Sequence, residues 1–186
     1  MVDDVTVGVL APAWGHRHQF IELAPPQPAA DQSALDHLLI AETLHRYAWA
    51  FDEHQREALG ACFTESGRFV GSVGGWENVG PFEGRTAIVD WLGGAMAVQR
   101  HQRRHNISNL VVNAQTPTSA VVLAFLCMTA VEGSGINVVT AGFYRADMVK
   151  DAGVWRIKEL FAGFDRPFAV PDEAFEPGAA NQGVAQ

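Results

Sequence analysis

Cysteine is scarce. The 186 residues hold two, Cys62 and Cys127. They lie far apart, each inside an apolar run, so they read as small buried hydrophobes of a reducing compartment rather than a disulfide frame. Basic residues are also short, 13 Lys plus Arg against 21 Asp plus Glu, for a formal net charge of −8. A chain so acidic lacks the footprint of a nucleic-acid binder and suits an anionic membrane surface poorly. No apolar run is long enough to span a bilayer. The opening MVDDVTVGVLAPAWG carries Asp3 and Asp4 where a secretory signal places Lys or Arg. The expected location is the cytoplasm. No Walker lysine follows Gly71, Gly74 and Gly75, and no GxSxG occurs, which argues against a phosphate loop and an α/β-hydrolase. His16-x-His18 and His101-x-x-x-His105 have no third ligand at metal spacing, so neither a metal nor another cofactor is expected.

What is present is material for one folded core. Apolar residues make up 48% and charged residues 18%. A single domain of this size buries about 70% of its unfolded surface. Residues 1–30 are rich in Pro, Ala and Gly and read as an N-terminal arm. Residues 31–165 carry the periodicity of a domain. Residues 166–186 lose it and read as a tail, although Phe168, Val170 and Phe175 are apolar enough to fold over a binding site.

Within the core, a helix is predicted over 33–53, with Ser33 and Asp36 resembling a capping box. Ile40, Leu44, Tyr47 and Phe51 share one apolar stripe at 100° per residue. A short helix at 55–62 and another at 85–99 follow, the latter interrupted by Gly93-Gly94. Strands are predicted at 68–73, 107–114, 119–131, 136–150 and 154–164. The last four are linked by hairpin-like turns into an antiparallel meander. Strand 119–131 is apolar on both faces, so the sheet needs two covers: helices on one side, another subunit on the other. The expected class is α+β, with helices packed on one curved antiparallel sheet.

Three residues stand out chemically. Tyr47, one of only two tyrosines, sits on the apolar stripe, where it is either a core aromatic or a proton donor. Asp52 ends the same helix, where a carboxylate opposes the macrodipole; it could cap the next helix with Gln55 or serve a site. His105 lies at the mouth of a strand, and alternation places it on one face with Ile107 and Asn109. Arg100, Arg103 and Arg104 read as a solvated basic rim.

The pieces RYAWAFD, LGACFTESGRFV, FEGRTAIVDWL, RRHNISNLVV, GFYRADMVK and VWRIKELF resemble, in order and spacing, the SnoaL-like family of the nuclear transport factor 2-like superfamily over residues 33–165. The resemblance implies a cone-shaped α+β barrel with a deep pocket, assembled as a homo-oligomer. In its scytalone dehydratase, bile-acid 7α-dehydratase and hexachlorocyclohexane dehydrochlorinase branches, an Asp ending the first helix orients a His at the start of a later strand. The matching positions are Asp52 and His105. Tyr47 matches the tyrosine of the bile-acid enzyme and occupies the place of the dehydrochlorinase lysine, which favours loss of water over loss of halide. No second tyrosine clearly matches the extra acid of scytalone dehydratase. The implied activity is a cofactor-free dehydratase with Tyr47, Asp52 and His105 catalytic. Asn109, Trp49, Phe51, Phe69, Trp91 and Phe168 would contact a hydrophobic substrate of polycyclic or polyketide type. An isomerase, a cyclase and a non-catalytic binding or scaffold protein are the alternatives.

Overall fold

The computed structural model describes residues 23–26, 31–74, 77–132 and 135–165. Most of the arm, with His16 and His18, and the tail 166–186, with Phe168, lie outside the described residues. Helix α1 spans Asp31–Asp52, α2 Arg56–Ala61 and α3 Arg85–Val98. The strands are β1 Phe63–Val73, β2 Glu77–Glu83, β3 Gln102–Gln115, β4 Ser119–Glu132, β5 Gly135–Asp151 and β6 Val154–Phe164.

The stripe that predicts α1 also buries it. Ile40, Leu44, Tyr47 and Phe51 are all in the core, each removal from water contributing about 2 kcal/mol. Asp36 does not cap the helix, which starts at Asp31, five residues earlier. Its buried carboxylate instead accepts Trp155 Nε1–H at 2.9 Å and pairs with Lys150 Nζ at 2.7 Å. Thr43 Oγ1 donates to the Trp155 carbonyl at 3.0 Å. These bonds pin the first half of α1 to β5 and β6.

The six strands form one mixed sheet in the order β2-β1-β6-β5-β4-β3. The meander β3–β6 is antiparallel as expected, and β1 pairs in parallel with β6. Strand β2 has no counterpart among the expected elements: ENVGPFE has little apolar alternation, and its Gly80-Pro81 is tolerated because β2 is an edge.

The cone-shaped barrel with a deep pocket is not what forms. The sheet is open and not strongly bent, with β2 and β3 as separate edges that do not pair. Closure would need hydrogen bonds between those edges. Instead α1 packs over β3 and β6, and α3 over β1 and β2. The volume a pocket would occupy is filled by fully buried side chains, among them Tyr47, Phe63, Phe69, Leu126, Tyr144 and Ile157. A hollow of about 550 Å³ opens on α2, and its lining (Gln55, Arg56, Glu57, Ala58 and Ala61) includes neither Asp52 nor His105.

Strand β4 shows why one sheet face stays open. Ala120, Val122, Ala124, Leu126, Met128 and Ala130 are buried beneath the helices. The alternate residues Val121, Leu123, Phe125 and Cys127 face the other way, and Phe125 is 58% exposed. Among the described residues no element covers that face. The ring pair Phe143–Phe161 lies on it beside the ion pairs Arg145–Asp147 and Arg68–Glu159.

Candidate functional site

Asp52 and His105 meet where the end of α1 lies against the start of β3. His105 donates its backbone N–H to Asp52 Oδ2 at 2.7 Å, and its Nδ1 lies 2.6 Å from Asp52 Oδ1. Both carboxylate oxygens are therefore held by one residue. The side chains are 7% and 3% exposed, so the pair is shielded from water. An ionised carboxylate can only accept, which places a proton on Nδ1 and leaves the neutral ring's lone pair on Nε2. The Phe51 ring packs against the imidazole with centroids 4.8 Å apart, holding its plane.

Two further links fix the backbone on either side. Gln102 Nε2 donates to the Asp52 carbonyl at 3.1 Å, satisfying an orphan carbonyl at the helix end. Arg104 pairs with Glu53 at 2.9 Å. The capping alternative for Asp52 fails, because Gln55 stands at the α2 N-cap and no side chain bonds there. The unfavourable position of Asp52 against the α1 dipole is offset by two hydrogen bonds from His105.

Strand β3 begins at Gln102, five residues before the predicted start, so His105 lies inside the strand. This brings Arg103 onto the same face. Arg103 is buried, 5% exposed, and is not part of a solvated rim. Burial lowers its pKa to about 10, while Asp52 nearby favours its charged form. It remains a cation at neutral pH.

Tyr47 is buried, and its ring packs against that of Tyr144 on β5, the chain's other tyrosine. The two rings meet edge to face at 5.9 Å. Burial raises both phenols above their ordinary range, so both stay protonated through neutral pH. The sequence reading misses Tyr144 and the burial of Arg103. Alternation along β5 is the signal that could show Tyr144 facing inward with Ala146 and Met148.

The predicted substrate contacts are dispersed. Of these residues, Phe51 is the one whose ring packs on His105. Phe69 and Trp91 form a separate cluster with Phe82 between α3, β1 and β2, at centroid distances of 4.9 and 4.3 Å from Trp91. Trp49 is 68% exposed on the outer side of α1. Asn109 is exposed, because a bulge adds a residue between Ser108↔Phe125 and Val111↔Leu123. Its φ of 50° is left-handed, a conformation Asn adopts more readily than most residues. Among the described residues no three His, Cys, Asp or Glu side chains group to hold a metal ion, and no helix is long and apolar enough to cross a membrane.

The fold is similar to that of a point variant of Rv3472, a function unknown protein from Mycobacterium tuberculosis, with TM-score 0.64 and 23% identity over 85% of this chain and 87% of that one. It is also similar to a protein of unknown function with a cystatin-like fold from Nostoc punctiforme, with TM-score 0.61 and 22% identity over 74% and 96% of the two chains. An NTF2-like protein with a cystatin-like fold from Novosphingobium aromaticivorans gives TM-score 0.60 and 17% identity over 72% and 84%. No protein of curated function matches. The SnoaL-like domain model matches residues 32–160, a span that includes most of α1, the sheet into β6 and both members of the Asp52–His105 pair. The chain belongs to the SnoaL-like family.

Proposed function

We propose that the protein is a cofactor-independent lyase that removes water from a hydrophobic small molecule of polycyclic or polyketide type. The observation that carries this reading is the buried Asp52–His105 pair, with both carboxylate oxygens on one histidine. His105 Nε2 takes a proton from a carbon beside a carbonyl. Asp52 holds the tautomer and stabilises the imidazolium that results. Tyr47 donates to the developing oxyanion or to the departing hydroxyl. The same base without loss of water would make an isomerase or cyclase.

A second reading has its own observation. The inner face of the sheet is filled with side chains, which supports a non-catalytic binding or scaffold role. The deciding experiment incubates the protein with a panel of cyclic β-hydroxyketones and follows the absorbance of the conjugated enone. Turnover by the unaltered protein that His105→Ala lacks is the expected result. It should persist in excess chelator, because the dyad generates its base without a metal. Ligands that bind equally to both proteins, with no enone formed, would establish the scaffold reading instead.

Association is part of the proposal. The exposed sheet face carrying Val121, Leu123, Phe125 and Phe143 is the surface on which a second copy would pack. Light scattering at micromolar concentration should return a multiple of 20.1 kDa. A monomer mass would overturn this.

A further inference from the structure

We propose that Met128 is the specificity-determining side chain of this site: its thioether stands at His105 Nε2, and how far it swings aside sets how large a ring can bring its C–H to the base. The inference rests on the reading of His105 as a base, and it says what limits the substrate of that same site. The dyad is enclosed. The side chains of His105 and Asp52 are 3% and 7% exposed, and neither lines the hollow at α2. A substrate carbon reaches Nε2 only by displacing a side chain.

The hydrogen bonds identify that side chain. Among the described residues, β3 has β4 on one side and no strand on the other. The His105 backbone N–H goes to Asp52 Oδ2 at 2.7 Å and not to β4, so Asp52 sits on the strandless side. The Arg103 carbonyl, two residues back and turned the same way, accepts from Gln102 Nε2 at 3.1 Å on that side. Nδ1 points there too, 2.6 Å from Asp52 Oδ1. The other nitrogen lies across the five-membered ring, so Nε2 faces back over the sheet toward β4. The β4 partner of His105 is Met128. Because the His105 N–H turns away from β4, the two residues form a non-hydrogen-bonded pair. That is the closer kind, with Cα atoms about 4.5 Å apart and both side chains on one face.

Met128 is buried on the inward face, and so is its partner on β5, Thr140. The other apolar residues around the imidazole are stiffer. Phe51 is a ring already packed on His105 at 4.8 Å. Ile107, two residues along β3, is branched at Cβ, and Leu126, two residues along β4, is branched at Cγ. Met128 is unbranched, with a flexible and polarizable thioether that adapts to what it touches. At rest it fills the space at Nε2 and keeps water from the base. Moved aside, it lines the ring of the substrate, and sulfur packs favourably against flat unsaturated rings. A base facing such a side chain suits a hydrophobic cyclic substrate.

The test is an NMR titration of the full chain, its methionine methyl groups labelled with carbon-13, with two ketones that have no hydroxyl to lose: cyclohexanone and the larger α-tetralone. The Met128 methyl signal is assigned from the spectrum of Met128→Leu, and the His105 ring signals from that of His105→Gln. In the unaltered protein both sets of signals should shift together as ketone is added. Met128→Ala should raise the affinity for α-tetralone relative to cyclohexanone at least about ten-fold. Binding confined to Met128→Ala would carry the same meaning. Met128→Leu keeps the volume but not the freedom, so it should lower that ratio several-fold, and it provides the reading if the alanine variant does not fold. A ratio within about two-fold of the unaltered protein's in every folded variant would overturn the proposal. So would His105 signals that shift while the Met128 methyl does not, or binding of neither ketone to any variant. The two readings fail separately. Coupled shifts with no turnover of any β-hydroxyketone would remove the base and leave Met128 at the site; turnover with an unmoved Met128 methyl would remove Met128 and leave the base.

Discussion

Replacing His105 by Ala is expected to lower turnover by a factor on the order of 10² to 10⁴ while costing little more than about 1 kcal/mol of stability. The separation arises from how Asp52 is held. One of its two bonds comes from the His105 backbone, which alanine retains at 2.7 Å; only the 2.6 Å bond to Nδ1 disappears. Asp52→Ala removes both bonds at once. It also leaves the buried Arg103 cation beside an uncharged neighbour. That variant should lose a similar factor of turnover and about 3 kcal/mol of stability. Asp52→Asn should keep most of the stability but lose activity, because an amide can donate to Nδ1 and so favours the wrong tautomer. Denaturant unfolding beside initial rates on the enone-forming substrate separates the three. Equal stability loss in the two alanine variants would mean that the backbone bond contributes nothing. Full activity in His105→Ala would place the base elsewhere.

Much of this site is legible in the sequence because its parts are local. Asp52 closes a helix whose apolar stripe fixes its direction, and His105 lies near the start of a strand whose alternation fixes its face. What fails is whatever depends on counting residues or on partners distant in sequence. The bulge at Asn109 adds one residue to β3, and from that point the face assignment inverts: Leu110 and Val112 turn toward the core and Asn109 toward solvent. The burial of Arg103 is hidden because arginine is rarely buried and the strand starts five residues before its apolar stretch. The pairing of β1 with β6 joins residues about ninety positions apart, and no turn in the sequence announces it. Barrel closure rests on resemblance alone, and edge-to-edge pairing leaves no local signal for the sequence to show.

Glycine supplies the sharpest stability contrast. In the sequence the suspicious pair is Gly93-Gly94, which should weaken a helix, yet α3 runs through both. A methyl group at Gly94 would meet nothing within 4 Å. Gly94→Ala should therefore stabilise the protein by about 0.5–1 kcal/mol, the ordinary helix preference for alanine. Gly142 looks unremarkable in the run TAGFYRADM, yet a side chain there would point into the β6 backbone. A Cβ there would overlap the Gly163 carbonyl oxygen and lie 3.1 Å from the Phe164 Cα. Both obstacles are backbone, so no rotamer change relieves the overlap. On the other strand the Phe143 ring already occupies the space where a Gly163 side chain would go, with its Cε1 2.5 Å from that position. Gly142→Ala must push the two strands apart, two residues from Tyr144, at a cost of about 3 kcal/mol or more. For a chain of this length that corresponds to a fall of roughly 6–12 °C in Tm, against a rise of about 1–4 °C for Gly94→Ala. Calorimetry on the two variants side by side checks both signs. A Gly142→Ala protein that melts with the unaltered one would show that β5 and β6 do not approach as closely as these contacts require.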